Sequence, residues 1–360
     1  LFAFVVEASN PIGVNQPSIV WQNQPPPQQT INDIALAGAK SLRMMLVSPF
    51  PRSVEIMAEM KTKGIGTLLM VPLTLDEYYP PNIAKRKGQP PHVYTLPPLS
   101  QIDIAKVEVV WTNTLRRLSA AGITLHGVQI ENEFNSGIFN GDLPLLSDGV
   151  VVNASNYRQF DFWPQYEAGM RKLVEVIRII RTSLAATDLY KDVPVVLGGL
   201  ARPSEIWSQH IGNILVEPDF ALRTLLNLGI DQLVDAYAIH LYPQVPVQHW
   251  SYPQEIIAEY VNRRMDQVVS VSGWSKPWWI TEWGFALRKD IKLNRYSPDP
   301  RLPLFYAFNN FIRNSRYSKL FGPTYIYVWD ENPNFRIWDG KRVLGISVFF
   351  ENLIKHQSSP

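Results

Sequence analysis

The sequence contains no cysteine, which excludes disulfide frameworks, thiol nucleophiles, cysteine-ligated zinc and iron–sulfur centres. Charge is scarce: Asp, Glu, Lys and Arg make up 18 % of the residues, against a usual ~25 %. The 34 basic residues nearly cancel the 32 acidic ones, leaving a formal net charge of +2 and no general pull toward nucleic acid or anionic lipid. No stretch approaches the roughly 18 consecutive apolar residues of a membrane span. The 6 histidines are scattered, without the spacing of a metal site. Missing too are the G-x-S-x-G elbow, the H-E-x-x-H helix and the phosphate-binding loop. Gly64-Ile65-Gly66 lacks the third glycine of a dinucleotide fingerprint. No cofactor and no metal are implied.

What remains is a chain of 360 residues, 46 % of them hydrophobic, with 29 Pro, 11 Trp, 15 Tyr and 16 Phe. That is enough apolar material for a large core, and an aromatic load suited to a flat ligand. The first residue is Leu1, so Leu1–Val6 reads either as the tail of a removed signal segment or as an extended piece packed on the domain. The first of these points to a secreted or periplasmic protein. Residues 1–360 are expected to form a single domain, with residues 1–10 as a candidate N-terminal extension to it.

Short β-type runs alternate with helical runs along the chain. Strands are expected at Pro11–Asn15, Leu42–Val47, Ile65–Val71, Leu125–Glu133, Val193–Leu197, Leu233–Tyr242, Pro277–Trp283 and Thr324–Trp329. Between them Ile104, Val107, Trp111, Leu115 and Leu118 recur at helical spacing, as do Tyr166, Met170, Leu173, Val174, Ile177 and Ile180. Ala37-Gly38 and Ala121-Gly122 supply left-handed helix ends just ahead of strands. Eight strands alternating with helices read as a (β/α)8 barrel. Such a barrel takes ~250 residues, so roughly 100 are left for loops. The enlarged segments, Asp76–Pro98, Asn135–Asn156 and Ala201–Pro218, each follow a strand, on the face where barrels carry chemistry. The Pro-rich Gln24–Gln29 reads as a stiff surface connection, and Lys85-Arg86-Lys87 as a solvated loop tip.

Two segments stand out, Gln129-Ile130-Glu131-Asn132-Glu133-Phe134 and Trp278-Trp279-Ile280-Thr281-Glu282-Trp283-Gly284. Each ends an apolar strand with a carboxylate, where burial disfavours an unpaired charge. The fourth and seventh strands face each other across a barrel mouth, so Glu133 and Glu282 can converge over a cleft. Glu131, two residues earlier, alternates to the same side as Glu133. It is paired with a cation such as Arg43, or protonated, or carried by an irregular strand.

These two segments resemble the catalytic strands of clan A retaining glycoside hydrolases. Arg43 on the second strand, His240-Leu241-Tyr242 at the end of the sixth and Trp329 at the end of the eighth fit the same pattern. Phe134 stands where many clan members have Pro. The resemblance implies that Glu133 is the acid/base and Glu282 the nucleophile of a double displacement. It implies Arg43 and Tyr242 as donors to Glu282, Asn132 as a partner of the sugar 2-hydroxyl, and Trp329 as the floor under the reacting sugar. A β-linked poly- or oligosaccharide is the implied partner.

Loop aromatics (Tyr78, Tyr79, Tyr94, Phe139, Trp163, Trp207 and Trp250) suggest stacking subsites and endo action, and the same loops could instead wall a pocket for an exo-enzyme. Simpler roles stand beside these: Arg43 in a buried ion pair, His240 and Trp329 as ordinary core. A carbohydrate-binding barrel without turnover and a transglycosylase with the same residues are the competing functions.

Overall fold

A computed structural model of the protein describes residues 12–88, 95–201, 212–287 and 299–338. Eight parallel strands close into a barrel: β1 (Ile12–Asn15), β2 (Ser41–Met45), β3 (Gly66–Val71), β4 (Leu125–Asn132), β6 (Val195–Leu200), β8 (Ala236–Leu241), β9 (Trp278–Trp283) and β10 (Phe321–Tyr327), with β10 pairing back onto β1. The protein is a (β/α)8 barrel. All eight expected strands are present, with ends displaced by a few residues. The expected N-terminal extension, Tyr94 and Trp207 lie outside the described residues.

Seven α-helices are seen among the described residues: α1 (Pro27–Leu36), α2 (Phe50–Thr62), α3 (Ile104–Ala120), α4 (Trp163–Ala185), α5 (Pro218–Asn227), α6 (Gln254–Ser272) and α7 (Leu302–Asn314). None of the described helices is long and apolar enough to cross a membrane. The physics of α3 is representative. The Asp103 carboxylate accepts from the Ala105 and Lys106 amides at 3.1 and 3.2 Å, satisfying donors that have no partner in the first turn. Val107, Trp111, Thr114, Leu115 and Leu118 form its buried stripe, each large apolar side chain contributing roughly 1.5–3 kcal/mol on burial. Gly122, at φ +58°, ends it. The stretch expected as a stiff connection at Gln24–Gln29 becomes helical at Pro27, because proline fits the first turn of a helix.

Inside the barrel Trp279 packs with Leu68, Val196, Ala236, Ala238 and Tyr325, while its neighbour Trp278 turns outward against Tyr237. The indole of Trp279 fills space beside Gly127 and Gly322, where a Cβ would come within 3.0 and 2.6 Å of it. This layer is the floor on which the polar groups of the mouth rest.

Two of the long loops bind each other. β5 (Val150–Val152), after β4, pairs in parallel with β7 (Ile214–Val216), after β6. The Asn135 amide clamps the junction, donating at 2.8 Å to the Ala201 and Val216 carbonyls. The basic run 85–87 is not a free tip. Arg86 bridges to Leu96 and its guanidinium donates to the Gly137 carbonyl, tying the loop after β3 to the loop after β4. A cavity of about 490 Å³ lies between α2 and α3, lined by Phe50, Val110, Asn113 and Arg117 among others. It touches none of the carboxylates at the mouth.

Candidate active site

The site grows from β2, where Arg43 points into the barrel and is fully buried. Every part of its guanidinium is used. Nε donates to Gln129 at 2.8 Å, Nη1 to Asn15 at 3.2 Å and to Glu282 at 2.8 Å, and Nη2 to Asn132 at 2.7 Å. A planar fork of donors is what allows one cation to organise four strands at once. Gln129 is fixed in turn by its side-chain Nε2–H, which donates to the Glu131 backbone carbonyl at 3.2 Å. Because arginine only donates, the Asn132 oxygen must face it, which turns the Asn132 amide N–H groups elsewhere.

Glu282 accepts on both oxygens. Arg43 holds Oε1, and the Tyr242 hydroxyl donates to Oε2 at 2.6 Å. Burial pushes its carboxyl up, but the charge of His240 and Arg43 and the Tyr242 hydrogen bond outweigh this and bring it below the usual carboxylate range. Glu133 differs. Its Oε1 lies 2.6 Å from His240 Nδ1, and burial, followed by the neighbouring Glu282 charge, raises it despite the His240 contact. The same imidazole nitrogen is 3.5 Å from Glu282 Oε2. Oxygens of Glu133 and Glu282 and a nitrogen of His240 all lie within 4.8 Å of one another. The two acid side chains remain 15 % and 10 % exposed, so they open onto the mouth.

Local irregularities aim these groups. Trp279 faces the barrel interior, and strict alternation would turn Glu282 outward. A register shift between Ile239 and His240, where Ile280 and then Glu282 are the partners, inserts one residue and brings Glu282 in. On β4 the backbone turns left-handed at Glu131 (φ +69°) and at Glu133 (φ +46°), a region that non-glycine residues rarely occupy. The expected shared side for Glu131 and Glu133 is therefore not what forms. Glu131 accepts from the Leu73 amide at 2.6 Å, beyond the end of β3, and Asn132 takes the place beside Arg43. Burial lifts Glu131 to about 7, so near neutrality it holds its proton much of the time.

The Nε2 side of the His240 ring lies against Gly199 on β6. A Cβ on Gly199 would come within 2.1 Å of its Nε2, and one on Gly198 within 2.6 Å of the Glu131 carbonyl. The Gly198-Gly199 pair is thus the space into which the His240 ring and the Glu131 carbonyl fit. The expected strand Val193–Leu197 stops short of both glycines, which the strand takes in by running on to Leu200. Asn15 and Gln129, which hold Arg43, gave no sign in the sequence, since nothing in their spacing sets them apart.

Of the expected site residues, Arg43, Asn132, Glu133, His240, Tyr242 and Glu282 converge. Two do not join them. Trp329 is 2 % exposed and stacks on Trp338 at 5.4 Å, leaving no open face for a sugar. Tyr242 is met edge-on by Tyr327, at the end of β10, at 5.9 Å and by Phe335 at 5.3 Å. Trp163 opens α4 and packs against Tyr157, Tyr166 and Phe220, where its apolar ring joins helix packing. Tyr78, Tyr79 and Trp250, expected as stacking groups, are also buried.

The Glu133, His240 and Glu282 cluster has the ligand types of a metal site. Arg43 and Tyr242 already occupy both Glu282 oxygens, and a guanidinium at 2.8 Å opposes a dication electrostatically. The arrangement is a better fit to acid–base and nucleophilic chemistry, with the Glu282 carboxyl shifted down and its neighbour Glu133 shifted up.

No known family model matches the chain, and no curated protein matches it. Its fold is similar to solved barrels. A structure from work on two fungal β-1,4-galactanases aligns over 97 % of this chain and 100 % of that one, with TM-score 0.55 and 12 % identity. A β-glucosidase from Exiguobacterium marinum aligns over 98 % and 99 %, with TM-score 0.57 and 9 % identity. The β-glycosidase BGL167 aligns over 92 % and 86 %, with TM-score 0.55 and 14 % identity.

Proposed function

We infer that the protein is a retaining β-glycoside hydrolase acting on a β-linked oligo- or polysaccharide. The observation that carries this reading is the approach of Glu133 and Glu282 within 4.8 Å. Retaining enzymes hold their carboxyl groups ~5–5.5 Å apart, and inverting ones ~6.5–9.5 Å to admit a water. The opposite protonation tendencies of the pair agree with it. Barrels of similar shape described as galactanase, glucosidase and glycosidase add support at the level of fold.

In this mechanism Glu282, kept ionised by Arg43 and Tyr242, attacks the anomeric carbon and forms a glycosyl-enzyme. Glu133 delivers its proton to the departing oxygen, then takes one from the incoming water. His240 Nδ1, at hydrogen-bond distance from Glu133 and 3.5 Å from Glu282, steadies Glu133 as its charge changes. The Asn132 amide N–H groups, turned from Arg43, are donors for the sugar 2-hydroxyl, a contact that strengthens at the transition state.

The test is Glu282→Ala with a panel of aryl β-glycosides and β-linked polysaccharides. Hydrolysis is expected to vanish, and added azide to restore it with inverted configuration of the product. Undiminished turnover by the variant would remove Glu282 from the reaction. Early wild-type product with the opposite anomeric configuration to the substrate would replace the double displacement by direct attack of water.

A further inference from the structure

Tyr242 can donate to Glu282 only while its ring keeps one orientation, and packing against two other rings supplies that constraint. Phe335 meets it edge-on at 5.3 Å and Tyr327 at 5.9 Å, and those two meet each other at 5.7 Å. Tyr327 is the last residue of β10, where it pairs with Asn15 of β1. Phe335 has no such support. It lies in a turn of the loop that follows β10, outside the barrel ladder, and its place depends on Arg301.

Arg301 stands immediately ahead of α7 and is 1 % exposed. Every N–H of its guanidinium is used. Nε and Nη2 donate to the two oxygens of Asp299 at 3.1 and 2.8 Å. Nη1 donates to the Phe285 carbonyl at 3.0 Å and to the Phe335 carbonyl at 3.4 Å, and Nη2 also reaches the Arg336 carbonyl at 2.9 Å. One buried cation thus ties the segment that continues from Glu282 to the segment that carries Phe335. These segments come as close as a glycine allows. A Cβ on Gly284 would lie 2.5 Å from the Tyr327 carbonyl oxygen and 3.5 Å from the Phe335 ring. The Leu287 amide adds a bond to the Asn334 carbonyl at 2.6 Å. Desolvation takes back most of the attraction in a buried ion pair, so what this one chiefly supplies is a fixed geometry.

We propose that Arg301, with Asp299, is a positioning residue for the nucleophile: by fixing Phe335 against Tyr242 it keeps the Tyr242 hydroxyl on Glu282 Oε2. The contacts run from guanidinium to carbonyl, from ring to ring and from hydroxyl to carboxylate, and the last link is 2.6 Å long. Tyr242 directly follows β8 and Phe335 belongs to the loop after β10, so only the packing of their rings relates them. Without the tie, a tilt of Phe335 gives the Tyr242 ring room to swing, and Glu282 loses one of its two donors. Arg43 on Oε1 stands apart from this chain, so the carboxylate has two independent supports. The role of Glu282 as nucleophile rests on the glycosidase reading. The coupling of Arg301 to Tyr242 does not.

The experiment compares wild type, Arg301→Lys, Phe335→Leu and Tyr242→Phe. Lysine keeps a charge for Asp299 but loses the planar fork that reaches the carbonyls. The double variant Arg301→Gln with Asp299→Asn, which strands no charge, carries the same test where Arg301→Lys does not fold. The first readout is the ionisation of Glu282, followed by NMR of protein labelled at the glutamate carboxyl carbons, with the resonance identified by its loss in Glu282→Gln. It needs no turnover. The other charged groups felt at Glu282, namely Arg43, His240, Glu133 and Glu331, are kept in every comparison. Removing a donor from a carboxylate raises its titration. Arg301→Lys and Phe335→Leu are each expected to move it upward by about half a pH unit, and Tyr242→Phe by more. On the Tyr242→Phe background the other two substitutions are expected to add nothing. On aryl β-glycosides, the acid limb of kcat/KM is expected to move with the resonance, and kcat to fall about tenfold with KM little changed. A wild-type titration in Arg301→Lys or in Phe335→Leu would overturn the proposal, even where the melting temperature has fallen, and so would shifts that add in full to that of Tyr242→Phe. The expected shifts in a protein that hydrolyses nothing would remove the glycosidase reading and keep the positioning of Tyr242.

Discussion

Glu131 and Glu133 stand two residues apart on one strand, yet their carboxyl groups serve different neighbours. Glu133 reaches His240 on β8, whereas Glu131 turns to the Leu73 amide beyond β3. The left-handed backbone at both residues separates them. It leaves a buried carboxyl whose described partners are the neutral Leu73 and Asn132 amides, and this has a consequence for stability.

With its carboxyl lifted to about 7 in the fold and near 4.3 in the unfolded chain, Glu131 keeps a proton that the unfolded state releases. Its contribution is complete below about pH 4.3 and fades as pH rises through 7. Asp142, lifted to about 6, and Glu331, lifted to about 7, act with the same sign. The protein is expected to be more resistant to urea at pH 5 than at pH 8. Glu131→Gln, which keeps an acceptor for Leu73, is expected to narrow that difference by on the order of 2 kcal/mol. An unchanged difference in the variant would show that Glu131 is ionised throughout.

Arg43 is the second lever. Removing its charge outright would strand Glu282, Asn132 and Gln129 in the barrel, at a cost of about 3–5 kcal/mol. Arg43→Lys keeps the charge but loses the fork, so the folded protein remains measurable. With the 2.8 Å contact to Glu282 weakened, the Glu282 carboxyl is expected to rise and the acid limb of kcat/KM to move to higher pH. A limb that stays in place would mean that Tyr242 and His240 suffice to keep Glu282 ionised.

Gly199→Ala places a methyl group 2.1 Å from the present position of His240 Nε2, closer than side chains tolerate. Overpacking of this kind costs about 1–3 kcal/mol, and here the ring that must move is the one held by Glu133. Activity is expected to fall by more than tenfold while far-UV circular dichroism is kept. Wild-type activity in this variant would mean that the position of His240 has no part in the reaction.

How legible this was varies with the kind of constraint. The barrel was written in alternation itself, because every barrel strand had to present an apolar run and every helix an apolar stripe. Glu133 and Glu282 are legible as carboxylates at strand ends, and Arg43 and Tyr242 only through the resemblance to clan A glycosidases. Their holders were not: Asn15 and Gln129 are ordinary amides until Arg43 is seen between them. The register shift that turns Glu282 inward and the left-handed turn at Glu131 are backbone events without a residue signature. Trp163 and Trp329 were read as sugar platforms because a tryptophan in a loop or at a strand end has the same letter whether its face is open or covered.

Glu133→Gln isolates the proton from the rest of the site. Glutamine keeps the size of the side chain and an acceptor for His240 Nδ1, so the fold should be undisturbed, but it has no proton to give. Glycosides with strongly acidic leaving groups need no such help, and their cleavage is expected to persist, with the glycosyl-enzyme accumulating because its hydrolysis lacks a base. Natural glycans, whose leaving group is an alkoxide, are expected to lose about 10²–10⁴-fold in kcat/KM. Comparing aryl glycosides across a range of leaving-group acidity gives the slope directly, steep for the variant and shallow for wild type. Equal slopes would assign the proton to another group, and Glu131, which holds one near neutrality two residues away, would be the first candidate.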